Sequence, residues 1–206
     1  MEIELKYRLK DKGQIEEILS DERVLECMDP DSREELHMEA AYFDTSDRRL
    51  NREGITFRVR RENDKLVGTL KWNGTSEEGM HVREEINVPN LEESKFERPD
   101  PEVFCQSDMC ENLKELIGQR TLEREVFVDY DRTQVRLDTG KVICELSFDH
   151  GKVFRNEEEG TILEMEIELY SGDREEMEKF GAYLAEKYGL IAENKSKFRQ
   201  GLELGR

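Results

Sequence analysis

The chain has 206 residues, a formal net charge of −18, 40% charged residues and 35% hydrophobic ones. That length suits one domain over residues 1–206, and Trp72, nine Phe and six Tyr spread along it promise a core that a disordered acidic chain would lack. With no apolar run near the ~18 residues of a membrane span, no leader before Glu2-Ile3-Glu4 and no overall basic surface for phosphates, membrane, export and nucleic acid are expected to be absent.

A strand over residues 2–9 opens the chain. Asp11 with Gln14 has the pattern of a capping box ahead of Ile15, Ile18 and Leu19. Residues 26–38, with Asp29-Pro30-Asp31, read as a loop. Apolar–polar alternation then predicts strands over 55–61, 66–72 and 80–88. Pro89, Pro99 and Pro101 mark a second loop over 89–102. Asp108 and Glu111 precede a helical group of Leu113, Leu116 and Ile117, stopped by Gly118. Further strands are expected over 124–130, 132–137, 141–149 and 162–170, with turns at Asp138-Thr139-Gly140 and Asp149-His150-Gly151. The last helix starts at Asp173, carries Met177, Phe180, Leu184 and Tyr188 on one stripe, and ends at Gly189. Cys27, Cys105, Cys110 and Cys144 are too sparse for a disulfide scaffold and lack zinc spacing, which predicts core cysteines and a cytoplasmic protein. Together these elements give one α+β domain with about eight strands.

The polar positions of these strands are almost all ionic. Glu2, Glu4 and Lys6 share one face, as do Arg58 with Arg60 and Glu164 with Glu166 and Glu168. Two arrangements fit: a sheet with a solvated ionic face, or a sheet closed into a barrel whose bore holds the charges. Three glutamates in a row repel unless a cation sits among them, and the basic residues lie on other strands, as a polyanion site requires. The row also predicts that the fold tolerates Glu166→Gln, because the change relieves repulsion, while turnover falls at least about 100-fold.

Glu2-x-Glu4-x-Lys6 resembles the opening signature of the CYTH superfamily, the triphosphate tunnel metalloenzymes. The family's other blocks follow in order: Tyr42-Phe43-Asp44-Thr45 with Asp47, Leu50 and Gly54; Phe57-Arg58-Val59-Arg60; Thr69-Leu70-Lys71; Gly79 to Glu85; Glu164-x-Glu166-x-Glu168; and Ser196-Lys197. Gly79-x-His81-x-Arg83 and the stretch from Glu164 to Asp173 are most similar to bacterial inorganic triphosphatases. The resemblance implies an eight-stranded antiparallel β-barrel, the triphosphate tunnel, with helices packed outside. It departs from the family at Gln200, where an arginine is frequent, and between Arg124 and Glu145, which is longer than the pattern. Arg132 and Arg136 therefore receive no role.

The resemblance implies metal ligation by Glu2, Glu4, Glu145, Glu164, Glu166 and Glu168. Carboxylates suit Mg²⁺, with Mn²⁺ the alternative. Lys6, Arg58, Arg60, Lys71, Arg83, Arg124 and Lys197 would hold the triphosphate, arginine by paired hydrogen bonds and lysine as a point charge. Lys6, Glu166 and Lys197 would lie nearest the chemistry. Asp44 and Thr45 read as turn residues, and Trp72 as packing. The expected activity is metal-dependent hydrolysis of inorganic tripolyphosphate with release of phosphate. Alternatives are thiamine triphosphatase or adenylate cyclase of the same superfamily, or a non-catalytic polyphosphate- or nucleotide-binding module. The expected partner is a small polyphosphate, with neither nucleic acid nor membrane, for a monomer or homodimer.

Overall fold

Residues 1–205 are described by a computed structural model. In chain order they form β1 (Glu2–Arg8), α1 (Gly13–Leu19), α2 (Glu22–Cys27), β2 (Glu34–Thr45), α3 (Arg49–Arg52), β3 (Thr56–Glu62), β4 (Lys65–Glu77) and β5 (Met80–Pro89). Then come α4 (Ser94–Glu97), α5 (Met109–Ile117), β6 (Leu122–Asp138), β7 (Val142–Arg155), β8 (Glu158–Gly172), α6 (Arg174–Tyr188), β9 (Ile191–Ala192) and α7 (Lys197–Leu202). The first eight strands pair antiparallel in the order β5-β4-β3-β2-β6-β7-β8-β1. β1 closes the ring on β5, with Glu2 opposite Arg83 and Leu5 opposite Met80. The closed barrel, with α1 to α6 packed outside it, is the expected fold class.

The expected strand count arises from two errors that cancel. β2 starts at the end of the segment read as a loop and runs on where no strand is expected, and β6 runs unbroken where two strands are expected. Neither keeps its apolar residues on one face: in β2, Met38, Ala40 and Tyr42 point into the ring while Ala41 and Phe43 point outward. In β6, Val126, Val128 and Tyr130 face one way, while Val135 and Leu137 face the other. Asp149-His150-Gly151 is likewise no turn but the middle of β7. Gly151 is needed there because a Cβ would lie 2.2 Å from the carbonyl oxygen of Asp129 on β6.

Three apolar clusters organise the barrel. Outside, Leu5, Tyr7, Leu146, Phe148, Met165 and Ile167 pack under α1, α2 and α6, where Met177 and Leu184 are fully buried. Also outside, Phe43, Phe57, Val59 and Leu70 pack under α3, α4 and α5, with Trp72 joining them as expected. The third cluster lies within the ring. Phe198 and Leu202 of α7 pack on Met38, Ala40, Tyr42, Val126, Val128 and Val153, and Phe198 stacks on Tyr42 at 5.2 Å. Gly201 lets α7 come this close, since a Cβ would sit 2.4 Å from Val126. α7 thus fills one end of the bore. The other end, where β1, β2, β4 and β7 begin, stays open.

Not all the cysteines lie in the core. Cys105 is exposed and forms a disulfide with Cys110, while Cys144 is buried and Cys27 half-buried. No helix among the described residues is long and apolar enough to cross a membrane.

Candidate active site

Strand alternation carries every second side chain into the bore. Glu2, Glu4, Lys6, Arg58, Arg60, Lys71, Arg83, Glu145, Glu166 and Glu168 all line one cavity of about 640 Å³. Lys197 enters it from the first residue of α7. The hydroxyl of Ser196 accepts a hydrogen bond from the Arg199 amide, which fixes the start of that helix. Glu164 is buried one strand step deeper, beside Lys6 and Lys197.

The floor of the bore is a closed ionic network. Lys6 Nζ lies 2.7 Å from Glu166 and 3.6 Å from Glu164. Lys197 Nζ lies 2.5 Å from Glu164, 2.6 Å from Asp149 and 2.9 Å from Glu166. Arg132 donates to both oxygens of Asp149 and to Glu166, each at 2.7 Å. Three cations thus meet three carboxylates, all six of them buried. Burial alone would raise the Glu166 pKa, but Lys197, Lys6 and Arg132 hold it well below the usual carboxylate range. Burial likewise opposes the charge on Lys197, yet Asp149, Glu164 and Glu166 raise its pKa.

Nearer the opening the balance differs. Lys71 Nζ sits 2.6 Å from Glu2 and 2.5 Å from Glu85, while Arg83 reaches Glu2 at 3.0 Å and Glu4 at 2.6 Å. The Tyr170 hydroxyl donates to Glu145 at 2.5 Å. Burial, with Glu2 and Glu4 alongside, pushes the Glu168 carboxyl up to about 8. Arg58 donates to the Thr69 hydroxyl at 3.0 Å and keeps a buried Nε without a partner. Arg60 is paired with Glu62.

The donor set fits a divalent cation. It consists of carboxylate oxygens, the hard ligands that Mg²⁺ and Mn²⁺ prefer. Oxygens of Asp149, Glu164 and Glu166 lie within 4.8 Å of one another. That cluster is already balanced by Lys6, Lys197 and Arg132, however. Glu168 beside Glu2 and Glu4 is where positive charge is short, so these three carboxylates fit an added cation better.

One expected residue falls outside. Arg124 is exposed, with its guanidinium 5.2 Å from the Phe127 ring centroid. A bulge is the cause: Tyr42 pairs with Val126 but Phe43 pairs with Arg124, so Glu125 is the extra residue and the inside–outside phase flips. Arg132 and Asp149 were missed. Each follows from unbroken alternation, Val126-Val128-Tyr130-Arg132 on β6 and Glu145-Ser147-Asp149 on β7. Gln200, at the family's departure point, donates to Glu164 at 3.1 Å. Asp44 is not itself in a turn but near the end of β2, buried, where it accepts from the amides of Leu50 and Asn51 and so holds α3.

Residues 1–202 match the CYTH domain family. The chain is 30% identical over 206 residues to an inorganic triphosphatase of Haemophilus influenzae, covering 99% of this chain and 55% of that protein. It therefore spans about half of that relative's length. A candidate adenylyl cyclase from Hippeastrum, described as revealing a dominant triphosphatase activity, superimposes with a TM-score of 0.68 at 19% identity, covering 98% of this chain and 95% of the other. A Pyrococcus horikoshii protein superimposes with a TM-score of 0.56 at 20% identity, over 98% and 99% of the two chains. These two likenesses establish a shared fold.

Proposed function

The chain belongs to the CYTH domain family, and from that premise we propose that it hydrolyses inorganic tripolyphosphate in the bore, releasing phosphate with the aid of Mg²⁺ or Mn²⁺. The observation that carries this reading is the division of one cavity into a cationic wall, Arg58, Arg60, Lys71 and Arg83 on β3 to β5, and a carboxylate wall on β1, β7 and β8. A non-catalytic anion site gains nothing from the second wall. The Haemophilus relative's name points the same way.

Arg58, Arg60 and Arg83 offer forked donors to the equatorial oxygens of successive phosphoryl groups, and Lys71 adds a point charge. Lys6 and Lys197, held by Glu164 and Glu166, present ammonium groups at the floor, where charge on a phosphoryl group is neutralised. Arg132 joins them in place of Arg124. Glu2, Glu4 and Glu168, with Glu145 beside them, would hold the cation. When bound, that cation withdraws charge from phosphate oxygens and makes water more acidic.

The test is to offer purified protein with Mg²⁺ tripolyphosphate, thiamine triphosphate and ATP, reading phosphate and cyclic nucleotide in parallel. Tripolyphosphate should give the highest kcat/KM and no cyclic product should form. Equal or faster turnover of either organic triphosphate, or cyclic nucleotide from ATP, would move the function to another branch of the family.

A further inference from the structure

The bore has one opening, and the sign of its lining changes on the way out. α7 fills the inner end, so a linear polyphosphate must thread in from the outer one. Along the inward face of β3 the order towards the opening is Arg58, Arg60, then Glu62. Along β6 it is Arg132, then Gln134. Two residues along a strand advance about 6.6 Å, so positive charge gives way to negative or neutral within one such step. At the rim the cavity is lined by Glu34, Glu62 and Asp64. Lys65 is the one rim cation among the described lining residues.

From this reversal, and resting on the triphosphatase reading above, we propose that the rim sets the length of polyanion the site accepts. A triphosphate lies wholly among the cations of the inner bore. A longer linear polyphosphate, anchored at the same floor, carries its further phosphates past Arg60 and Arg132 and against Glu34 and Asp64. Like charges at that distance oppose binding without any steric block. The rim acts on charge, so it selects short polyanions against long ones.

The rim can be altered without touching the inner bore. Asp64 lies at the exposed β3–β4 turn, and Glu34 is an exposed residue at the start of β2 whose side chain accepts only from Gln134. Neither belongs to the proposed metal or phosphate set. The experiment compares native protein with the Glu34→Gln/Asp64→Asn double variant, using tripolyphosphate, linear tetraphosphate and long-chain polyphosphate with Mg²⁺. Binding is read by calorimetry and turnover by phosphate release. Native protein should favour tripolyphosphate, and the double variant should improve binding of the two longer chains about two- to fivefold per charge removed, leaving tripolyphosphate within about twofold. Raising ionic strength from about 0.01 to 0.15 M should narrow the native preference, because screening shortens the rim's reach from about 30 to 8 Å. Native protein that binds all three chains equally, or a double variant whose length preference is unchanged, would overturn the proposal. Should tripolyphosphate bind without being cleaved, the hydrolytic reading falls, but the calorimetric ratios still decide the length filter.

Discussion

The floor of the bore and its outer half use the same residue types to opposite ends. On the floor, Lys6, Lys197 and Arg132 meet Asp149, Glu164 and Glu166 within hydrogen-bond reach, and the network neutralises itself. In the outer half, Glu168 stands beside Glu2 and Glu4 with its carboxyl pushed up to about 8 by burial and their charge. A self-neutralised network fixes geometry, since each ion holds the others and none can leave cheaply. An unbalanced one is a site for something still to come. Counting charges in the bore would miss this; only their partners reveal it.

Removing a cation from the floor should have the largest effect. Arg132→Ala strips fully buried Asp149 of two of its hydrogen bonds. It should cost about 3–5 kcal/mol, the scale of breaking a buried pair on one side. At roughly 2–4 °C per kcal/mol for a chain of this size, calorimetry should record a fall in Tm of about 6–20 °C. A fall under about 2 °C would mean that the floor is hydrated and loose.

A change in the outer half should act on ligands more than on the fold. Arg58→Ala removes a guanidinium whose buried Nε has no partner in the protein. Tripolyphosphate binding should weaken by about tenfold or more, the scale of a hydrogen bond to a charged group, and phosphate binding should weaken less. Titration of both anions checks it; equal losses would place Arg58 away from the phosphate chain.

The same contrast predicts a pH dependence. If Glu168 holds Mg²⁺ as proposed, the metal displaces a proton whose pKa is pushed up to about 8, so its affinity should rise from pH 6 to about 8 and then level, at most about tenfold per pH unit for one proton. Glu168→Gln should flatten that profile in a calorimetric series. A native profile already flat over this range would mean that Glu168 takes no part.

The smallest effect is expected at Arg124, which the bulge turns outward. Arg124→Ala should change stability by no more than about 0.5 kcal/mol and leave kcat/KM unaltered. A tenfold loss of kcat/KM would return this side chain to the substrate.

The ionic strands on which the resemblance rests, Glu2 to Lys6, Arg58 with Arg60, and Glu164 to Glu168, were legible because each keeps one phase from end to end. β2 and β6 were not, for a physical reason. β6 points apolar side chains at α7 from its inner half and outward under α1 and α2 further along, while β2 is apolar on both faces from Ala40 to Phe43. Periodicity then reads as an interruption. Arg132 was lost to that break, and Asp149 to a glycine that serves close strand approach and was read as a turn. Arg124 was misplaced by a single extra residue, for which strict alternation has no mark. The structure argues against the tolerance expected of Glu166→Gln, because the row of glutamates does not face itself. Lys6 and Lys197 lie against it.

The most direct measurement is the Tm of Glu166→Gln and of Glu168→Gln, side by side at pH 8 without divalent metal. Glu166 has its pKa held down, so its ionised form stabilises the fold above the ordinary value of 4.5 and that contribution is lost as pH falls through the folded value. Glu168 has its pKa raised from 4.5 to about 8, so the folded state retains an extra proton and stability is lost as pH climbs across that window. Glu166→Gln should therefore lower Tm by several degrees, and Glu168→Gln should raise it by roughly 2–4 °C, the equivalent of about 1 kcal/mol. With Mg²⁺ added, native protein should gain and the Glu168→Gln advantage should disappear. Shifts of the same sign in the two variants would contradict the division of the bore into a balanced floor and an outer half awaiting a cation.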